Sequence, residues 1–259
     1  MEYEGLTVDK EAGVAKLTLN RPEQLNAISI PMAQSLKKAL GDIDKDSSLK
    51  VLILTGAGRS FCAGLDVTTF SPVSKMTGGE LSDFMRTLSL PLYNLSKPTI
   101  AAINGVTVGA GLSIAMLCDI RVASEKARFS SAYSRMGLVP DIGATYSLPR
   151  IAGTAKAMEL MFTGDTFDAA EAYRIGILNK VVPEEEVMKA ARELAERIAK
   201  GPSIAIDLIK QAVHQGIRNS LEQQVEVECL VDYICLRTDD HKEGVKSFFE
   251  KRPPEFKGK

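Results

Sequence analysis

Ser60-Phe61-Cys62-Ala63-Gly64-Leu65-Asp66 and Asn104-Gly105-Val106-Thr107-Val108-Gly109-Ala110-Gly111-Leu112 decide how this chain is read. Each follows an apolar, strand-like run, Val51-Leu52-Ile53-Leu54 before the first and Ile100-Ala101-Ala102-Ile103 before the second. Each contains small residues that let a ligand come close to the backbone. The second runs straight into a helical stretch, Leu112 to Cys118, so its free N–H groups are expected at a positive helix end. Two such turns facing one another would offer convergent donors to a carbonyl oxygen that becomes negative, which is the geometry of an oxyanion hole.

Outward from these turns, Val14 to Leu19 alternates like a strand, and Pro31 to Leu40 has helical spacing behind the turn residues Arg21-Pro22. The Gly/Ser/Thr-rich stretch from Thr68 to Gly79 reads as a mobile loop. Leu81 to Leu95 reads as a helix kinked at Pro91, and Pro98 opens the strand ending at Ile103. Ile120-Arg121-Val122-Ala123 and Lys180-Val181-Val182 are further short strands, so strands alternate with helices as in βαβ units. From Glu184 the pattern is helical: Glu184–Lys200, Ile204–Gln215, Leu221–Cys235 and His241–Glu250, with Gly201-Pro202 separating the first two. The division expected is a core over residues 1–198 and a helical region over 199–259. No sequence repeat or low-complexity tract interrupts it.

A chain of 259 residues holds one α/β domain of substantial core. Its 32 Lys and Arg balance 33 Asp and Glu, leaving a net charge of −1 and no global attraction for nucleic acid or an anionic membrane. The acidic start, Met1-Glu2-Tyr3-Glu4, lacks a signal-peptide core, and no apolar run reaches the roughly 18 residues of a membrane span. Cys62, Cys118, Cys229 and Cys235 lack metal-ligand spacing and read as reduced thiols, so the expected location is the cytoplasm and no metal site is expected.

The ordered motifs resemble the crotonases, the enoyl-CoA hydratase/isomerase superfamily, essentially from end to end. Those that carry the resemblance begin with Asn20-Arg21-Pro22, Leu25-Asn26-Ala27 and Phe61-Cys62-Ala63-Gly64-Leu65-Asp66. Ala102-Ile103-Asn104-Gly105, Cys118-Asp119-Ile120-Arg121, Gly137-Leu138-Val139-Pro140-Asp141, Leu148-Pro149-Arg150 and Phe249-Glu250-Lys251-Arg252 continue the series. The resemblance implies an α/β spiral of ββα turns with two nearly perpendicular sheets. It also implies a C-terminal helical region that packs against neighbours in a homotrimer or homohexamer. An exposed helical appendage would otherwise leave large apolar patches.

By motif position, the backbone N–H groups of Leu65 and Ala110, each following a glycine (Gly64, Gly109), are the oxyanion donors for an acyl-CoA thioester. The alternative is that these turns only pack strands tightly. Family hydratases place two glutamates across the acyl chain, and here the matching positions hold Ser113 and Tyr133. The candidate base is instead Asp141, where several family isomerases carry an Asp. The run Ser134 to Asp141 most resembles the ring-epoxide isomerases of phenylacetate degradation. One carboxylate that accepts and then returns a proton can shift a double bond, and burial would raise its pKa to suit that task. The competing job for Asp141 is a helix N-cap or Asx-turn after Pro140. Tyr133 orients substrate, lines the acyl pocket or simply fills core; Ser113 bonds substrate or back-bonds to its own helix. Leu25, Ala27 and Ala63 resemble positions that cradle coenzyme A. Lys251, with Phe248 from a neighbour's last helix, resembles positions near its nucleotide end, although a lysine in a polar tail is ordinarily just solvated. Coenzyme A is part of the substrate, and no separate cofactor is expected.

Three other classes fit less well. A dinucleotide fold would need a third glycine after Gly56-Ala57-Gly58, and Phe61 stands there. A serine hydrolase would need a histidine near Ser113, and the chain's two, His214 and His241, lie in the C-terminal helices. An RNA-binding module would want a basic stripe with stacking aromatics, and the chain has no Trp. The enzyme that comes second is a specialised enoyl-CoA or dienoyl-CoA hydratase using Asp141 as its single base.

Overall fold

The structure is a computed structural model that describes residues 3–259; Met1 and Glu2 of the acidic start lie outside it. The strands β1 (Leu6–Glu11) and β2 (Val14–Leu19) pair antiparallel around Ala12-Gly13, and α1 (Ile30–Lys45) follows, its Ser29 cap accepting the Met32 N–H. From there the chain winds. Strand β3 (Val51–Gly56) runs parallel to β2, and β4 (Ser60–Cys62) begins a second sheet. After α2 (Phe70–Val73) and α3 (Gly78–Tyr93), β5 (Thr99–Ile103) pairs with β3 and β6 (Val106–Val108) with β4. After α4 (Ala110–Leu117), β7 (Ile120–Ser124) pairs with β5 and β8 (Arg128–Ser130) with β6.

Each turn of this spiral therefore lays one strand in each sheet and then a helix, although no sequence repeat announces it. The chain continues through α5 (Ala144–Ala152), α6 (Thr154–Thr163), β9 (Thr166–Asp168), α7 (Ala169–Arg174) and β10 (Lys180–Val182). The finished sheets run β1-β2-β3-β5-β7-β10 and β4-β6-β8-β9. Helices α8 (Val187–Ala199), α9 (Ser203–Gly216), α10 (Leu221–Cys235) and α11 (Asp239–Glu250) complete the chain.

The unbroken apolar run of β3 follows from coverage on both faces. Leu52 and Leu54 point into the main core with Leu17, Leu19, Ala101 and Ile103, whereas Val51 and Ile53 join Ile100, Ala102 and Val122 against α8. Helix α4 is apolar all round because all eight of its residues are buried.

Two expectations need correction. The stretch Thr68–Gly79 is no open loop: it holds a 3₁₀ turn (Val67–Thr69), α2, and the first two residues of α3. The signal overlooked is a capping box, in which Thr77 Oγ1 accepts the Glu80 N–H and the Glu80 carboxylate accepts the Thr77 N–H. Helix α3 accordingly begins at Gly78, earlier than Leu81, and Pro91 sits in its last turn. The expected helix Glu184–Lys200 opens as a 3₁₀ turn, Glu184–Glu186, before α8. Among the described residues no helix is long and apolar enough to cross a membrane, and no group of three or more His, Cys, Asp or Glu is placed to hold a metal ion.

Candidate active site

The two glycine turns meet. A β-carbon on Gly64 would lie 3.2 Å from the Val108 carbonyl oxygen and 3.6 Å from the Ala110 nitrogen. Gly64 has φ 105° and Gly109 φ 54°, conformations that L side chains rarely adopt, so each donor peptide is aimed by a glycine just before it. Cys62 shapes the first turn further, its Sγ accepting the Gly64 N–H at 3.4 Å. Around the first donor, Ile28 N–H bonds the Gly64 carbonyl and Asp66 N–H bonds the Ile28 carbonyl; around the second, Gly109 N–H bonds Ser130 and Ser113 N–H bonds Gly109. Among the described residues, these bonds leave the Leu65 and Ala110 N–H groups without an acceptor, the second at the N-terminus of α4.

The first loop is zipped to the second. Ala63 N–H donates to the Leu25 carbonyl at 3.0 Å, which brings Leu25, Ala27, Ala63 and Gly64 together beside the donors. Leu25 (φ 51°) and Asn26 (φ 58°) are successive left-handed residues, and buried Asn26 holds them. Its Nδ2 donates to the Ala57 and Ser60 carbonyls at 2.9 and 2.8 Å, and its Oδ1 accepts the Arg21 N–H. Arg21 in turn donates to the Ala27 carbonyl and pairs with Asp66 at 2.8 Å. Thr68 and Arg21 hold the Asp66 carboxyl below its usual range, against the effect of its burial. Arg21, Asn26 and Asp66 are positioning groups that reading by motif passed over. Their signal was the Asn-Arg-Pro and Leu-Asn-Ala spacing itself, which carried no hint of the partner 45 residues on.

Asp141 stands in the segment before α5. The N-cap of α5 is Gly143, so the N-cap reading of Asp141 fails; its carbonyl, not its carboxylate, accepts the Ala144 N–H. Its carboxylate meets Tyr133, whose hydroxyl donates to Oδ1 at 2.6 Å, and the Tyr133 hydroxyl lies 2.9 Å from Ser113 Oγ. Among the described residues, Oδ2 takes no hydrogen bond from another side chain. Burial raises the Asp141 pKa above its ordinary value, with Tyr133 and its own backbone N–H pulling the other way. Burial also raises Tyr133, helped by the Asp141 charge, so its proton stays on. Ser113, three residues after Ala110 on α4, ties this carboxyl to the second glycine turn.

Phe248 and Lys251 stand apart. Phe248 is 79% exposed and edge-on to Phe249, Lys251 ends α11 in the left-handed region, and none of the hydrogen bonds above reaches either. Two cavities of about 540 and 550 Å³ also lie elsewhere, one between α9 and the Cys118–Arg121 segment, the other between α9 and α11.

Two free N–H groups beside a carboxyl of raised pKa can stabilise an enolate and move a proton next to a thioester. Comparison with known proteins identifies the family. Residues 9–259 match the enoyl-CoA hydratase/isomerase family. The 1,2-epoxyphenylacetyl-CoA isomerase of Escherichia coli is 40% identical over 96% of this chain and 97% of its own. The short-chain-enoyl-CoA hydratase of Clostridium acetobutylicum is 37% identical over 97% of each. The crystal structure of an enoyl-CoA hydratase from Bacillus anthracis superposes with a TM-score of 0.92 at 33% identity, covering 99% of this chain and 100% of that one. The chain belongs to the enoyl-CoA hydratase/isomerase family, the crotonase superfamily.

Proposed function

We propose that this protein is an enoyl-CoA isomerase that shifts a double bond by carrying one proton on Asp141. The observation behind this reading is the single carboxylate. Where family hydratases hold glutamates this chain has Ser113 and Tyr133, and both hydroxyls are engaged in a chain that ends on Asp141. The thioester oxygen accepts hydrogen bonds from the Leu65 and Ala110 N–H groups. Asp141 Oδ2 removes a proton from the substrate carbon, and the electron pair moves into the thioester as an enolate held by those donors. Collapse of the enolate takes a proton back from Asp141 at a different carbon, so no atom is gained or lost. The 40% identity with a protein named as an isomerase supports the same reading.

Leu25, Ala27 and Ala63 cradle the coenzyme, and the exposed Phe248 and Lys251 serve a neighbouring chain's site in a homotrimer or homohexamer. The reaction needs no cofactor beyond the coenzyme A of its substrate. Buried Cys62 and Cys118, unpaired and with thiol pKa values pushed up to about 12, suit a reducing cytoplasm.

The test is mass spectrometry of products formed from 3-enoyl-CoA and 2-enoyl-CoA esters in deuterated water. Deuterium uptake with a moved double bond and no added water is the expected result. A gain of one water instead makes the protein a hydratase that uses Asp141 as its single base.

A further inference from the structure

We infer that Tyr133 and Ser113 are positioning residues for Asp141, a hydroxyl relay that commits one carboxylate oxygen to the protein and leaves the other for the substrate. The inference rests on Asp141 being the base. Each hydroxyl owns a single proton. With Asp141 ionised, the Tyr133 proton goes to Oδ1 at 2.6 Å, so the Tyr133 oxygen is left as an acceptor, and the Ser113 proton fills it at 2.9 Å. Only the order Ser113 to Tyr133 to Asp141 satisfies both contacts at once. Ser113 Oγ also lies 3.3 Å from the Gly109 carbonyl, the back-bond to its own helix, but that oxygen already accepts the Ser113 N–H at 3.0 Å, and the shorter 2.9 Å contact to Tyr133 takes the hydroxyl proton.

The relay is held rigidly. Ser113 is 1% exposed on α4 and Tyr133 8% exposed after β8, so neither hydroxyl exchanges its partner for bulk water. Two consequences follow. The carboxylate plane is pinned through Oδ1, so the substrate's proton is taken and returned by Oδ2 from a constant position. A charge-assisted bond from Tyr133 also favours the ionised form of this carboxylate, opposing the effect of its burial. Among the described residues no charged side chain acts on Asp141: burial, Tyr133 and its own N–H are the influences upon it.

The relay also accounts for the residue types. A glutamate at either position would put a second negative charge against Asp141 and raise its pKa further. Hydroxyls at these positions donate toward a single base.

The test is the pH dependence of kcat/KM for Tyr133→Phe and Ser113→Ala beside the parent and Asp141→Asn. Tyr133→Phe keeps the ring that fills the core. Its acid limb should move to higher pH by about one unit, since the bond favouring the charged form is lost. Its kcat should fall about ten- to a hundredfold with KM changed less than threefold. Ser113→Ala should move the limb the same way by a smaller step, and it carries the test alone if Tyr133→Phe does not fold. An acid limb superimposable on the parent's in the folded variants overturns the relay and leaves Tyr133 as core filling. An active Asp141→Asn variant overturns the base assignment instead, and the relay with it.

Discussion

Up to Ala195 this chain buries apolar side chains throughout, on both faces of its larger sheet. From Lys200 onward the only buried side chains are Lys210, Asp240 and Ser247. Helices α10 and α11 are nonetheless well formed, because local polar devices hold their ends. Ser220 and Gln223 make a capping box on α10, and Thr238 caps α11. Arg252 forms two bonds to the Glu243 carboxylate, and Asp240 accepts the Lys257 and Gly258 N–H groups. Meanwhile Ile209, Val213, Leu221, Leu230 and Phe248 are exposed. The first region is ordered by what it buries within itself; the second is ordered locally and presents its apolar faces outward.

The largest break in this contrast is chemical. Asp141→Asn should lower kcat by a thousandfold or more on the order expected for loss of a general base, while circular dichroism and binding of a CoA thioester stay unchanged. Leu230→Asp, in the other region, should do the reverse to architecture: sedimentation should show loss of the proposed trimer or hexamer, with helix content retained.

One substitution made in both regions should change stability with opposite signs. At Gly111 a β-carbon would fall 2.1 Å from the Cys62 carbonyl oxygen, so Gly111→Ala should cost about 3 kcal/mol in denaturant unfolding and disturb the Ala110 donor. At Gly244, inside α11, the nearest atom to a β-carbon is Phe256 Cε1 at 3.7 Å, ordinary contact, and Gly244→Ala should stabilise by about 0.5–1 kcal/mol.

The smallest effect lies on α9. Burial pushes the Asp207 carboxyl from 3.8 to about 6, with Lys97, Lys50 and Lys210 opposing. A raised folded-state value means the native protein holds a proton that the unfolded chain has released, so stability falls as pH rises from about 4 through 6. Asp207→Asn should therefore add about 1 kcal/mol at pH 7.5, after allowing for its partial exposure to solvent, and almost nothing near pH 4. Melting curves at the two pH values measure it.

Much of the spiral was legible because its strands are short apolar runs beside turn residues, and α9–α11 because apolar spacing and caps are local. The Thr77–Glu80 start of α3 was equally local, but Gly78-Gly79 and the Ser/Thr content masked it. The site divided differently. Gly64 and Gly109 stood out as glycines, and Asp141 by its motif place. Arg21 with Asp66, and Asn26 with Ser60, are joined only when the first two loops zip together.

Motif order and residue type were enough to decide the family and the spiral, and to point to the two glycine turns and to Asp141, since the motifs that carry them each lie within a few consecutive residues. The union of Ser113, Tyr133 and Asp141 was settled by folding, because α4, the end of β8 and the segment before α5 meet only through the packing of the sheets. The same holds for the two faces of β3. A run of four apolar residues says that burial is needed, and only the helices on either side say against what.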